Sequence, residues 1–276
     1  MRRPHEDLTD VRVPSEALAR WALETPVAAQ EATFAALSFL VATAHQASTL
    51  LPVPALLQLE QTEQDPDGFL RHPRAALDHF RLRATRAMAL MELSTFFRER
   101  FPAAAQRPLP DSLFALAGIF SRHGDPLEAA CDLLIHEAVV NEVEDLLFRT
   151  LKYPPLQVLL KRLRETEAQH SADACRLAAM VLGDGTSGAR VWRIRSRLLT
   201  TGTRALLAVR PLYDELERAG IRVDRTRAMR GFARRLEEGV SELPGALLLE
   251  SILHQLAGEP EEEPQDALDA LHKAQQ

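Results

Sequence analysis

Apolar residues in this chain recur every three or four positions almost throughout, the period of a helix with one inward face, and no convincing run alternates with period two. Proline and glycine fall at the joints between these segments. The pattern predicts helices at 14–48, 54–64, 74–100, 111–122, 126–151, 155–183, 187–219, 225–242 and 244–257, hence an all-α protein, with no internal repeat at a fixed period.

Charge interrupts two of the apolar stripes. One steps through Ala130, Leu133, Glu137, Val140, Glu144, Leu147 and Leu151, the next through Leu156, Leu160, Leu163, Glu167, His170, Ala174, Leu177 and Val181. Ionisable groups therefore sit on faces that turn toward a core. The intervening Lys152-Tyr153-Pro154-Pro155 is a stop signal short enough to force an antiparallel hairpin. Glu137 and His170 are symmetric about a turn centred between Tyr153 and Pro154, which predicts that Glu137 faces Glu167 and His170.

An uncompensated buried carboxylate consumes much of a net stability of about 5–15 kcal/mol, so something must balance it. A Glu facing Glu-x-x-His supplies half of a carboxylate-bridged di-metal site. The 30-residue step from Glu137 to Glu167, with Thr166-Glu167-Ala168-Gln169-His170 in place of Asp-Glu-x-x-His, resembles the ferritin-like di-iron superfamily of rubrerythrins, acyl-carrier-protein desaturases, ribonucleotide reductase small subunits and aryl-amine oxygenases. The resemblance covers about residues 126–183. It implies a ferritin-like four-helix bundle over 1–185 with a C-terminal helical extension over 186–257, two iron ions with manganese as the substitute, and a dioxygen-activating oxidoreductase acting on a small or carrier-protein-bound substrate. The competing reading is a metal-free polar network that fixes helix register, with Arg149, Arg162 or Arg164 as counter-charges, in a non-catalytic relic that works as a helical binding or interaction protein. Glu144 lies about 10 Å toward the turn from Glu137, opposite Leu163, and is read as lying behind the ligands or along a channel.

A complete site needs a second helix pair. Glu31 is the only charged residue between Pro26 and Leu59, with histidine taken as neutral, and Glu92 the only one in 87–97, which makes both ligand candidates. The expected metal set is Glu31, Glu92, Glu137, Glu167 and His170, all converging on one point. Thr95 departs from it, because the resemblance places a histidine there. His79 beside Asp78, and His45 opposite Glu60, are the substitutes, although a lone histidine on an apolar face is more often a core histidine.

Composition narrows the classes. With 276 residues and 46% hydrophobic content the chain can bury a full core. A net charge of −6 argues against bulk nucleic-acid affinity. Cys131 and Cys175 make neither a disulfide framework nor a CxxC pattern, so a reducing cytoplasm is expected. No stretch reaches 18 uninterrupted apolar residues, and no apolar segment follows the charged start, so neither a membrane span nor a secretory leader is expected. Thirteen arginines stand against four acids between Arg190 and Arg235, either as a solvated face that pairs with the acidic tail or as a docking surface for an anionic partner. That tail, 258–276, carries Glu259-Pro260-Glu261-Glu262-Glu263-Pro264 and is expected to stay solvated and disordered. Glu250 and His254, one turn apart, read as a surface pair, and a homodimer is left open.

Overall fold

Proline and glycine divide the chain into helices where they break the helical ladder, and a computed structural model describes residues 13–47, 68–120, 126–165 and 188–240. In chain order these are α1 (Ser15–Glu24), α2 (Val27–Ala47), α3 (Gly68–Arg100), α4 (Pro102–Ala105), a 3₁₀ turn at Asp111–Phe114, α5 (Ala115–Ile119), α6 (Pro126–Thr150), α7 (154–165), α8 (Gly188–Arg218) and α9 (Arg225–Val240). The described residues contain no strand, and the protein is all-α.

The expected helix over 14–48 is two helices. Pro26 disfavours the helical conformation in the residue before it, and Thr25 is accordingly extended at φ −93° and ψ 122°. At 111–122 the single helix expected is a 3₁₀ turn running into the short α5. The helices expected at 54–64 and 244–257 lie outside the described residues, as does the continuation of α7 beyond 165.

Tyr153 and the two prolines make the α6–α7 hairpin. Leu151, Lys152 and Tyr153 leave the helix, and Pro154 and Pro155 occupy the first turn of α7, where no ladder donor is needed. Gln157 Nε2 donates to the Phe148 carbonyl at 2.8 Å across the turn. Arg164 pairs with Asp145 at 3.0 Å, and these two residues are almost equidistant from the turn, so the helices run antiparallel.

The core gathers on α6, which packs against α8 and α9 and touches α2. α2 in turn lies on α3 and α8. The 20-residue stretch Val27–Gln46 is long and apolar enough to cross a bilayer by length and composition. Such all-round apolarity belongs either to a membrane span or to a core helix, and here Phe34, Leu37, Phe39 and Leu40 are buried within the fold. Trp21, Phe97, Phe101 and Tyr153 form an aromatic cluster of tilted and edge-to-face rings, with Trp21 4.8 Å from Tyr153 and Phe97 4.9 Å from Phe101 between ring centroids. It fastens α1, α3 and the hairpin turn to one another.

A buried carboxylate and arginine network as the candidate functional site

Stepping by three and four along α3 places Arg83, Arg86, Leu90, Leu93 and Phe97 on one face, and all five are buried. Two guanidinium groups are thereby turned inward, opposite Glu137 and Glu144 of α6, which are also buried. Arg83 Nη2 donates to Glu137 Oε1, and Arg86 Nη2 pairs with Glu144 Oε1. Long arginine side chains thus join α3 to α6 through four charges, each less than a tenth exposed. Ion pairs so thoroughly removed from water hold only while both partners remain, because either one alone would be an uncompensated buried charge.

His136 borders the network. Its Nε2 lies 3.2 Å from the Thr43 carbonyl, which can only accept, so Nε2 carries the proton and Nδ1 keeps its lone pair. The Phe120 ring meets it edge-on at 5.3 Å. Burial, then the Arg83 and Arg86 cations, hold the imidazole well below the usual histidine range, and the bond to Thr43 only partly opposes them. Burial, helped by the Arg86 charge, also lowers Arg83 to about 9, which leaves it protonated at neutral pH. Arg86 Nε, Glu137 Oε2 and His136 Nδ1 have no hydrogen-bond partner among the described residues.

The other acids of α6 are held in the same way. Asp132, fully buried, takes a bidentate grip from Arg197 at 2.8 and 2.7 Å, and the burial-opposing hydrogen bonds raise the Arg197 guanidinium. Arg197 also reaches Glu128 at 3.4 Å. Arg235 binds Asp145 at 2.7 Å and Glu142 at 3.5 Å, and Arg149 adds a second contact to Glu142 at 3.3 Å. Burial nevertheless raises the Glu142 carboxyl, against the pull of Arg235 and Arg149. Glu142 lies so close to α9 that a Cβ at Gly231 would overlap its carboxylate.

Of the expected metal ligands, the three among the described residues, Glu31, Glu92 and Glu137, do not come together. Glu137 is buried on the inward face of α6, but its partner is Arg83. Glu31 sits in the second turn of α2, half-buried, 3.3 Å from Arg107, which also holds Glu215 at 3.1 Å. Glu92 lies on the exposed face of α3, in a groove with Met88, Met91, Thr95, Phe96 and Glu99. The expectation that it points inward fails on phase: the buried stripe passes through Leu90 and Leu93, and an apolar neighbourhood in sequence is not the same thing as an apolar face. Glu167 and His170 lie outside the described residues, as do Cys175, Glu60, Glu250, His254 and the side chains of Asp78 and His79. Of the counter-charges expected, Arg149 and Arg164 serve Glu142 and Asp145. His45 is exposed, and Cys131 is buried and in no disulfide.

Arg83 and Arg86 are the residues that attention to carboxylates missed. The signal was present, because the same stepping that flags Glu137 puts both arginines on the inward face of their helix. Among the described residues no group of three His, Cys, Asp or Glu side chains is placed to hold a metal ion. The described residues also fit a di-iron pair poorly, because Glu137, the one expected ligand buried among them, already faces the Arg83 guanidinium in a dry setting. Of the basic region, Arg197, Arg218, Arg225 and Arg235 are consumed by Asp132, Glu215, Glu217 and Asp145 within the fold.

Comparison with family models, with curated proteins and with solved structures found no match.

Proposed function

We propose that this chain is a non-catalytic helical protein that acts by binding another molecule, and that the buried acids of α6 serve its fold rather than a metal. The pairing of Glu137 with Arg83 and of Glu144 with Arg86 carries this reading, because it gives both carboxylates a structural employment and sets positive charge where metal ions would have to sit. The outward face of α3, where Met88, Met91 and Phe96 stand exposed beside Glu92 and Glu99, offers the kind of adaptable apolar surface that helical binding proteins present. In this reading α2, α3, α6 and α7 are the members of a ferritin-like bundle in which ion pairs have replaced metal ligands.

A di-iron oxidoreductase using Glu31, Glu92, Glu137, Glu167 and His170 is the second reading. Glu137 Oε2, buried and without a hydrogen-bond partner among the described residues, is the observation in its favour. The two are separated by measuring iron and manganese in protein purified without chelator, together with melting curves of the wild type, Glu137→Ala and the double variant Arg83→Met with Glu137→Met. The expected result is no stoichiometric metal, a loss of about 3–5 kcal/mol in Glu137→Ala, which takes the Glu137 carboxylate from the buried Arg83, and recovery of most of it in the double variant. A bound pair of iron ions that disappears in Glu137→Ala while the protein melts higher would overturn the proposal.

A further inference from the structure

α8 carries an apolar stripe on the side opposite its core contacts. Ile194, Leu198, Ala205, Val209 and Leu212 are buried, whereas Trp192 is 68% exposed, Leu207 50% and Leu199 38%. Trp192, Ser196, Leu199, Thr203, Leu207 and Arg210 follow one another at steps of three and four, so they share one outward face. Arg204 and Arg210, both exposed at the stripe, have no ion-pair partner among the described residues. A surface that combines an exposed tryptophan, two leucines and uncommitted arginines calls for an occupant with an apolar face and negative charge.

The chain itself contains such an occupant. After α9 ends at Val240, residues 241–276 follow, and they lie outside the described part of the structure. Within them Leu249, Ile252, Leu253 and Leu256 have the spacing of one helical face. The stretch 244–257, if helical, is about 21 Å long, and the stripe from Trp192 to Leu207 is of about the same length. Immediately beyond come Glu259, Glu261, Glu262, Glu263, Asp266 and Asp269, six acids against the single Lys273. We infer that the outward face of α8 is the dock for this chain's own C-terminal segment, with the leucine-rich stretch on Trp192, Leu199 and Leu207 and the acidic run drawn to Arg204 and Arg210. The inference stands apart from the metal question, since no residue of the α3–α6 network takes part in it.

Acrylamide quenching of tryptophan fluorescence tests it directly. The chain has two tryptophans, and Trp21 is buried in the aromatic cluster, so the quenchable signal reports Trp192. The full chain should show Trp192 shielded, with quenching that rises several-fold in a chain ending at Val240 and in a full-length Ile252→Asp, Leu256→Asp variant. Unchanged far-ultraviolet circular dichroism over the described helices would show that the double variant keeps its fold. Replacing Glu259, Glu261, Glu262 and Glu263 by Gln should give a smaller rise, as would high salt in the wild type. Trp192 freely quenched in the wild-type chain overturns the inference without recourse to any variant. Shielding that vanishes on dilution assigns the face to a second copy instead, and likewise overturns it.

Discussion

His136 is the residue whose surroundings make the sharpest statement about pH. In the unfolded chain it titrates near 6.5, whereas in the fold burial and two neighbouring arginines keep it neutral well below that. The unfolded state then binds the extra proton, so this residue's contribution is complete above pH 6.5 and is lost as pH falls through 6.5 toward the folded value. Stability should fall by about 1 kcal/mol per pH unit below pH 6 from this group alone. Glutamine at 136 keeps a donor for the Thr43 carbonyl and cannot titrate, so urea melts of His136→Gln between pH 5 and 7 should be flatter by that amount; parallel curves for variant and wild type would sink the idea. At this scale the sequence was readable wherever phase alone decides: the stepping of α6 puts Glu137 and Glu144 inside, and both are buried. It was unreadable where a partner on another helix decides, because which cation answers a buried carboxylate depends on how distant segments meet. Arg83 and Arg86 lie 54 and 58 positions before the acids they bind, and no spacing rule connects them.

Between helices a close passage occurs at Gly231, where α9 comes down on the Glu142 carboxylate of α6. Two effects compete there. Alanine in place of a helical glycine favours the helix by about 1 kcal/mol, whereas forcing a methyl into filled space costs about 1–3 kcal/mol. Glu142 cannot simply swing away, because Arg149 and Arg235 hold it on either side. Gly231→Ala should therefore destabilise the wild type yet stabilise a Glu142→Ala background by about 1 kcal/mol, a reversal of sign that a double-mutant cycle in urea would show. Equal effects in both backgrounds would mean that the crossing is looser than described. Element boundaries followed local chemistry and were legible to that extent: Pro126 opens α6, Pro154 opens α7, and the chain leaves α8 through Gly220 at φ 77°, a backbone state that suits glycine. The missed break at Thr25–Pro26 was written in the same code, a proline inside an otherwise continuous apolar pattern.

Over the whole molecule, the all-α class was legible because periodicity is a property of each segment by itself. What each helix packs against was not, since one apolar stripe resembles another until the chain is assembled. The same limit explains why Glu31 looked like a partner for Glu137: both are charges in apolar helices, and only the assembled fold sends one of them to Arg107.

The arrangement around α6 also bears on how the protein comes apart. Glu137 and Glu144 are held from α3, Asp132 from α8, and Asp145 from both α7 and α9, so a single helix is clasped by four others through charge. Removing α3 or α8 would take an arginine from a buried carboxylate, and removing α7 or α9 would take one of the two that hold Asp145, which makes partial opening costlier than apolar packing alone would. The fold is thereby denied easy stopping points between native and unfolded. Amide hydrogen exchange should show α3, α6, α8 and α9 opening together with one free energy, equal to that of global unfolding. If α9 exchanges through a separate, cheaper opening, the clasp does not couple the helices. Should they open as one, the acids of α6 act less as adhesive than as a lock on intermediate states, leaving an all-or-none molecule in a size range where partly folded forms are common.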